Sequence, residues 1–422
     1  MTRHSTECVD LTTLANGIRV VSETVPYVRT VSVGLWVGTG ARDEEERLRG
    51  VSHFIEHMLF KGTPKRTARD IADEIESRGG QLNAFTGKEN TCYEARVLAE
   101  DLGLAVDVLT DMFRNSLFEP EEMEREKRVV IEEIKMYEDT PEENVHDIFE
   151  QTLWRSHPLG KPIVGSAKTV SALSREDVLA YRESRYRPDR IVLAAAGNLE
   201  HADLVAMAES VLGDMSGCSE RPKQRGAKAS GKSRIVRKRE IEQVHFCVGT
   251  PAFGKQERQR YTLSILNNVL GGNMSSRLFQ EIREKRGLAY AIGSYGRAYQ
   301  EGGFFCVFGG TSPERYQEVL DLTRAEFASV RTSGLTEDEL KKAKTQVRGA
   351  LVLGLESMSA RMNRYGDSLL SFNRVIPLDE IMTEYEAVSH ESIARVTETV
   401  LDEKLLTIAA IGPFTRGDPP IV

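Results

Sequence analysis

The sequence predicts an α+β fold of two homologous domains, each a mostly antiparallel β-sheet packed with α-helices, the pair related by duplication. Three observations carry this. Strand-type alternation gives way repeatedly to helix-type spacing, a polar stretch divides the chain, and the segments on either side of it match at a constant offset.

The elements follow in order. LTTLANGIRVVSE places an Asn16-Gly17 turn between two short strands, and TVSVGLWVGTGARDE continues with period-two apolar spacing. From Gly50 the pattern becomes helical, with Val51, Ile55, Met58 and Leu59 spaced to face inward. RTARDIADEIESRGG reads as a helix closed by Gly79-Gly80. QLNAFTGKENTCYEARVL reads as two strands, and residues 101–137 as two amphipathic helices. RIVLAAAGNL has the unbroken apolar character of a buried strand, and HADLVAMAESVLGDM is a helix.

Residues 216–233, SGCSERPKQRGAKASGKS, are polar and rich in Gly, Ser and Lys, the composition of a solvated linker. This divides the chain into a first domain over 1–215 and a second over 234–422. Across the divide, Leu173-Ser174-Arg175-Glu176 matches Val388-Ser389-His390-Glu391 and Gly197 matches Gly412, both offset by 215. Glu122-Met123 matches Glu339-Leu340 at an offset of 217.

Composition narrows the function classes. The 422 residues are 40% hydrophobic and 28% charged, which fits globular domains with real cores. A formal charge of −8 speaks against a general nucleic-acid binder, and the basic residues of the linker lack interleaved aromatics. No apolar run suits a membrane span, so no membrane partner is expected. MTRHSTECVDL lacks the apolar centre of a secretory signal. Five scattered cysteines without a CxxC pair fit reduced thiols, and the expected compartment is the cytoplasm.

The chemistry concentrates in one segment, Gly50-Val51-Ser52-His53-Phe54-Ile55-Glu56-His57-Met58-Leu59-Phe60. His53 and His57 stand one turn apart and can reach one metal ion. Glu56 shares their face and can hold a water on that metal, the H-x-x-E-H arrangement of inverted zinc peptidases. A catalytic zinc needs a third protein ligand. Glu133, 76 residues after His57 in EPEEMEREKRVVIEEIKMYED, is the candidate, with Val129, Val130 and Ile134 expected to pack that helix inward. Glu126 lies two turns earlier on the same face.

With these spacings the chain resembles the pitrilysin/insulysin family of zinc metallopeptidases, and within it the two-domain group similar to mitochondrial processing peptidase. The likeness runs from NGIRVV to IAAIGP. It implies one zinc ion per chain on His53, His57 and Glu133, with Glu56 as general base and Glu126 orienting a ligand. It implies a substrate-binding edge strand in GGQLNAFTGKENTCY, where Asn83 and Ala84 pair with peptide backbone, and a substrate contact at Phe54. Arg283 and Tyr290, seven apart in the second half, match the family's Arg/Tyr pair and would stabilise the tetrahedral intermediate, in the site of their own chain or in that of a partner chain. His157 in HPLGKPIVG is read as holding a turn. By the repeat offsets, His53, Glu56 and His57 fall on Gly272, Ser275 and Ser276, and Glu126 and Glu133 on Ala343 and Ala350, so the second domain is expected to be non-catalytic.

The implied activity is zinc-dependent endoproteolysis of unfolded peptides or small polypeptides. The alternative is an inactive peptide-binding or scaffold subunit of a heteromeric peptidase. Residues 119–150 hold 13 acidic and four basic side chains, which suits basic peptides if that surface meets substrate. Two chains are expected to pair, as a homodimer or as a heterodimer with a related subunit.

Overall fold

The computed structural model describes residues 8–218 and 226–414, so residues 1–7, on which the leader expectation largely rests, and the middle of the expected linker lie outside it. The described residues form two compact units, each with its own sheet and core. Unit 1 takes residues 8–134, 162–218 and 352–378; unit 2 takes 135–161, 226–351 and 379–414. The units therefore differ from the sequence halves by an exchanged helical segment in each direction.

Unit 1 is built on strands β1 (Val9–Thr13), β2 (Arg19–Thr24), β3 (Thr30–Val37), β4 (Gln81–Thr86), β5 (Thr91–Leu98) and β6 (Ile191–Gly197). They lie in the order β1-β2-β6-β3-β5-β4, with β2 and β6 parallel and every other pair antiparallel. β6 is buried at every residue, as its unbroken apolar run requires in the middle of a covered sheet. β4 sits at the sheet's edge and alternates exposed and half-buried residues.

Against this sheet stand α1 (Val51–Leu59), α2 (Ala68–Glu76), α3 (Leu102–Asn115) and the first part of α4 (Pro120–Asp139). Val51, Ile55, Met58 and Leu59 are fully buried, as their spacing predicts. The other face of the sheet is covered by the helix Met358–Phe372, from the second half of the sequence. Its Met362, Tyr365 and Leu369 join Val21, Trp36, Cys92 and Val192 in one apolar cluster.

Unit 2 repeats the plan. Strands β7 (Ser233–Lys238), β8 (Val244–Ala252), β9 (Ala289–Tyr299), β10 (Gly302–Thr311) and β11 (Thr407–Gly412) lie in the order β7-β11-β8-β10-β9. The pair β7 and β11 is parallel and the rest antiparallel. Replacing β2 through β6 by β7 through β11 reproduces the order and every strand direction of the first sheet, the topological form of the duplication. One face of this sheet carries α5 (Pro141–Leu153), from the first half of the sequence, with Val145, Ile148 and Phe149 buried against Cys247, Phe304 and Ala409. None of the five cysteines forms a disulfide among the described residues. No helix among the described residues is long and apolar enough to cross a membrane.

Candidate metal centre

The helix α1 is placed before it is used. Its N-cap, Gly50, has φ 93°, and a Cβ there would lie 2.7 Å from the carbonyl oxygen of Val164. Only glycine fits such a left-handed, crowded start. Both oxygens of the buried Glu44 carboxylate accept backbone N–H groups, from Gly50 and from Ser52, each at 2.8 Å. They satisfy donors that the first helical turn leaves unpaired.

So held, α1 presents His53, Glu56 and His57 towards α4. His53 Nε2 lies 3.7 Å from Glu133 Oε1, and His57 Nε2 lies 3.6 Å from Glu133 Oε2. The ligand atoms of these three residues all lie within 4.8 Å of one another, and no other group of three or more His, Cys, Asp or Glu among the described residues is so arranged. The N···O distances are too long for hydrogen bonds. They suit neighbouring atoms on one ion, since bonds of about 2.0–2.2 Å in a tetrahedral array set ligand atoms roughly 3.4 Å apart. Two imidazoles and a carboxylate, leaving a further position open, are the donor set of a catalytic zinc site.

The surroundings prepare the donors. Burial pushes His53 down to about 3, helped by the neighbouring His57, so its ring is neutral with a lone pair to give. Burial would also lower His57, but its hydrogen bond to the Glu126 carboxylate, with the charges of Glu126, Glu133 and Glu56, holds it above its ordinary value. His57 Nδ1 lies 2.7 Å from Glu126 Oε1, which commits that nitrogen and leaves Nε2 towards Glu133. Burial raises Glu133 and Glu56 above the usual carboxylate range. In Glu56 the rise is opposed by Thr86, whose hydroxyl donates to Oε2 at 2.5 Å.

Other expected residues fall as follows. Asn83 is exposed and Ala84 half-buried on the edge strand β4. Phe54 is a correction: its side chain is fully buried in the core of unit 1, so it has no surface to offer a substrate. One residue past His53, it points away from the ligand face. Val129 is also corrected, being 51% exposed, whereas Val130 and Ile134 are buried. Arg283 and Tyr290 meet in unit 2, the guanidinium 4.8 Å from the ring centroid and Tyr290 itself 80% exposed. Arg283 stands on a π-helical turn, Phe279–Glu284, a feature that sequence periodicity does not announce. His157 caps its turn, its ring accepting from the Leu159 N–H, while Nε2 lies 3.3 Å from Glu301.

Three supporting residues escaped the sequence reading: Glu44, Lys61 and Thr86. Each lies at a helix or strand margin, where no periodicity marks it. Glu44 alone had a local signal, an acid placed shortly before a helix start.

Residues 19–167 match the family model for insulinase, peptidase family M16, and residues 172–347 match that for the peptidase M16 inactive domain. An uncharacterized zinc protease of Streptomyces coelicolor is 40% identical over 97% of this chain and 91% of its own length. One of Bacillus subtilis is 40% identical over 95% and 97% respectively. A protease from Helicobacter pylori shares the fold, with a TM-score of 0.91 at 20% identity, covering 96% of this chain and 99% of its own. A Pseudomonas fluorescens structure described as a peptidase M16 inactive domain superposes with a TM-score of 0.90 at 20% identity over 97% of this chain and 99% of its own. The order of strands, the paired family matches and full-length relatives lead to one conclusion: this chain belongs to the insulinase family of peptidases, family M16.

Proposed function

We propose that this chain is a zinc-dependent endopeptidase acting on unfolded peptides or small polypeptides. The observation that carries the reading is the convergence of His53, His57 and Glu133, with Glu56 on the same helix as the two histidines. Full-length relatives named zinc proteases support zinc as the metal.

When bound, zinc supplies a Lewis acid that acidifies water and polarises a peptide carbonyl. The chain's own groups do the rest. His53, His57 and Glu133 hold the ion, and Glu126 keeps the His57 ring in one tautomer. Glu56 takes a proton from the attacking water and returns it to the leaving amine nitrogen. The raised affinity of its buried carboxyl for protons suits that second step. The open edge of β4, with Asn83 and Ala84, pairs with an extended peptide backbone, a mode that demands unfolded substrate. Arg283 and Tyr290, of the same chain or of the paired one, contact the substrate carbonyl and share its developing negative charge.

Two chains form the working enzyme in this reading, as a homodimer because one chain carries both the metal cluster and the Arg/Tyr pair, with a related partner chain as the other arrangement. The acidic stretch 119–150 favours basic peptides, and the cytoplasm is the expected compartment.

The test is metal analysis of the purified chain together with hydrolysis of a quenched fluorescent peptide containing basic residues, with and without chelator. Glu56→Gln should retain zinc and lose nearly all turnover. Hydrolysis that survives either the chelator or that substitution rejects the mechanism. A chain that binds zinc but cleaves neither this peptide nor unfolded casein is the inactive scaffold subunit.

A further inference from the structure

The residues that follow α1 and those that precede α4 are hydrogen-bonded to one another. Past the last turn of α1, the Phe60 N–H returns to the His57 carbonyl at 3.2 Å and the Lys61 N–H to that of Met58 at 3.1 Å. The Met58 carbonyl also accepts the Ser116 hydroxyl at 2.9 Å, and the Leu117 N–H donates to the Gly62 carbonyl at 3.1 Å. The residues following α1 are thus bonded to those preceding α4. Phe118 then takes φ 50°, a left-handed conformation for a large side chain, while buried to 1%. Backbone of that kind persists only where its surroundings over-determine it.

The consequence is a chain of three side chains. Lys61 Nζ lies 2.6 Å from Glu126 Oε2, and Glu126 Oε1 lies 2.7 Å from His57 Nδ1. Glu126 is 4% exposed, so each of its oxygens needs a partner. Lys127, next in sequence, pairs with Glu124 instead. The second metal-site histidine has no such support: His53 Nδ1 is buried without a hydrogen-bond partner among the described residues. The two imidazoles are therefore unequal. His57 is anchored at Nδ1 through a tether, whereas His53 Nδ1 has no hydrogen bond to anchor it.

We propose that Lys61 is a positioning residue of the metal site, which fixes Glu126 and through it the tautomer and ring orientation of His57, so that affinity for zinc depends on a side chain outside the ligand set. The inference rests on reading His53, His57 and Glu133 as zinc ligands and adds an outer member to that set. With Lys61 removed, Oε2 of a buried carboxylate loses its partner and the group can rotate, taking the acceptor for His57 with it.

The experiment measures zinc dissociation constants of the full-length protein by competition with a chromophoric chelator, without any need for a substrate. Lys61→Met is expected to weaken zinc binding by about 10–100-fold, the range for outer partners of metal-bound histidines. Lys61→Arg, which keeps the charge and a donor, should restore most of the affinity. The double variant Lys61→Met/Glu126→Gln should bind no more weakly than Glu126→Gln alone, since both act through one path. Ring nitrogen shifts in the zinc-free protein should show His57 passing from one tautomer to a mixture. A merely structural Lys61 would lower the unfolding temperature and leave both affinity and tautomer unchanged. If Lys61→Met does not fold, Lys61→Gln takes its place. Lysine variants that bind zinc as tightly as the parent overturn the inference and leave the zinc reading standing. A parent chain that takes up no zinc overturns both.

Discussion

Thr86 donates its hydroxyl to Glu56 Oε2 at 2.5 Å, tying the last residue of the edge strand to the carboxylate that sits between the two metal-site histidines in sequence. One oxygen of Glu56 is thereby committed and the other left for chemistry. A general base must lie within hydrogen-bond reach of the proton it takes, and small misplacements are costly. Thr86→Val keeps the shape of the side chain and removes the donor. It is expected to lower kcat by about 10–100-fold with little change in KM or zinc content. Thr86→Ser should recover most of the rate. Steady-state kinetics on a quenched peptide, with metal analysis beside them, decide the matter. Equal losses in the Ser and Val variants would mean that the hydroxyl is irrelevant.

Glu133 gives one oxygen to each histidine, at 3.7 and 3.6 Å. Replacing it by Gln removes the anionic ligand while preserving volume, and the two imidazoles alone make a poor zinc site. Glu133→Gln is expected to lose most of its zinc on dialysis, in contrast to Glu56→Gln. Metal content measured side by side for the two variants separates ligand from base. Equal retention would remove Glu133 from the ligand set.

Much of this arrangement was legible in the sequence, for definite reasons. His53, Glu56 and His57 could be read because a helix repeats every 3.6 residues and their spacing needs no tertiary knowledge. The strands β4 and β5 were visible from alternation, and the buried β6 from its unbroken apolar run. The exchanged helices were not legible. The pattern in Met358–Phe372 says that one face is buried, but periodicity does not say against which sheet, and the partners Trp36 and Val21 lie more than 300 residues away in the chain. Phe54 was misread because a residue inside a catalytic motif was given a catalytic neighbour's role, although its helical position already pointed it into the core. Lys61 and Thr86 act through single hydrogen bonds made by tertiary contact, which leave no trace in spacing.

Glu44 should make stability depend on pH. Burial pushes its carboxyl up to about 7 from an ordinary 4.5, even though the Ser52 and Gly50 N–H groups oppose the rise. A folded-state pKa above the unfolded one means that the folded chain binds the extra proton between those values. The contribution to stability is full below about pH 4.5 and is lost as pH rises through about 7, a change on the order of 3 kcal/mol. In Glu44→Gln this dependence is absent. The difference in unfolding free energy between parent and variant, followed by denaturant titration from pH 4.5 to 8, should therefore move in favour of the variant as pH rises. A difference that stays flat would show that the carboxyl titrates normally. Because Glu44 caps the helix carrying both histidines, α1 is least secure above about pH 7.

Gly366 tests the exchanged helix itself. A Cβ at this position would lie 2.3 Å from Cε2 of Trp36, a ring that is 2% exposed and so cannot swing aside. The helix Met358–Phe372 packs directly on the sheet here, with the Trp36 indole N–H donating to Met362 Sδ at 3.3 Å. Nearby, Tyr365 donates its hydroxyl to the buried Glu23 at 2.6 Å, and Arg361 pairs with the same carboxylate at 2.5 Å. Any shift of the helix away from Trp36 therefore pulls partners from a buried charge as well. Gly366→Ala is expected to destabilise unit 1 by about 1–3 kcal/mol or more, although a single methyl is added. Gly349→Ala is the control. It lies in another helix, Glu337–Gly354, with nothing within 4 Å of the added carbon, and should be neutral or stabilise by about 0.5–1 kcal/mol. Thermal and denaturant unfolding of the two variants should move in opposite directions or differ by well over 1 kcal/mol. Equal effects would mean that the helix is not seated on the sheet in solution.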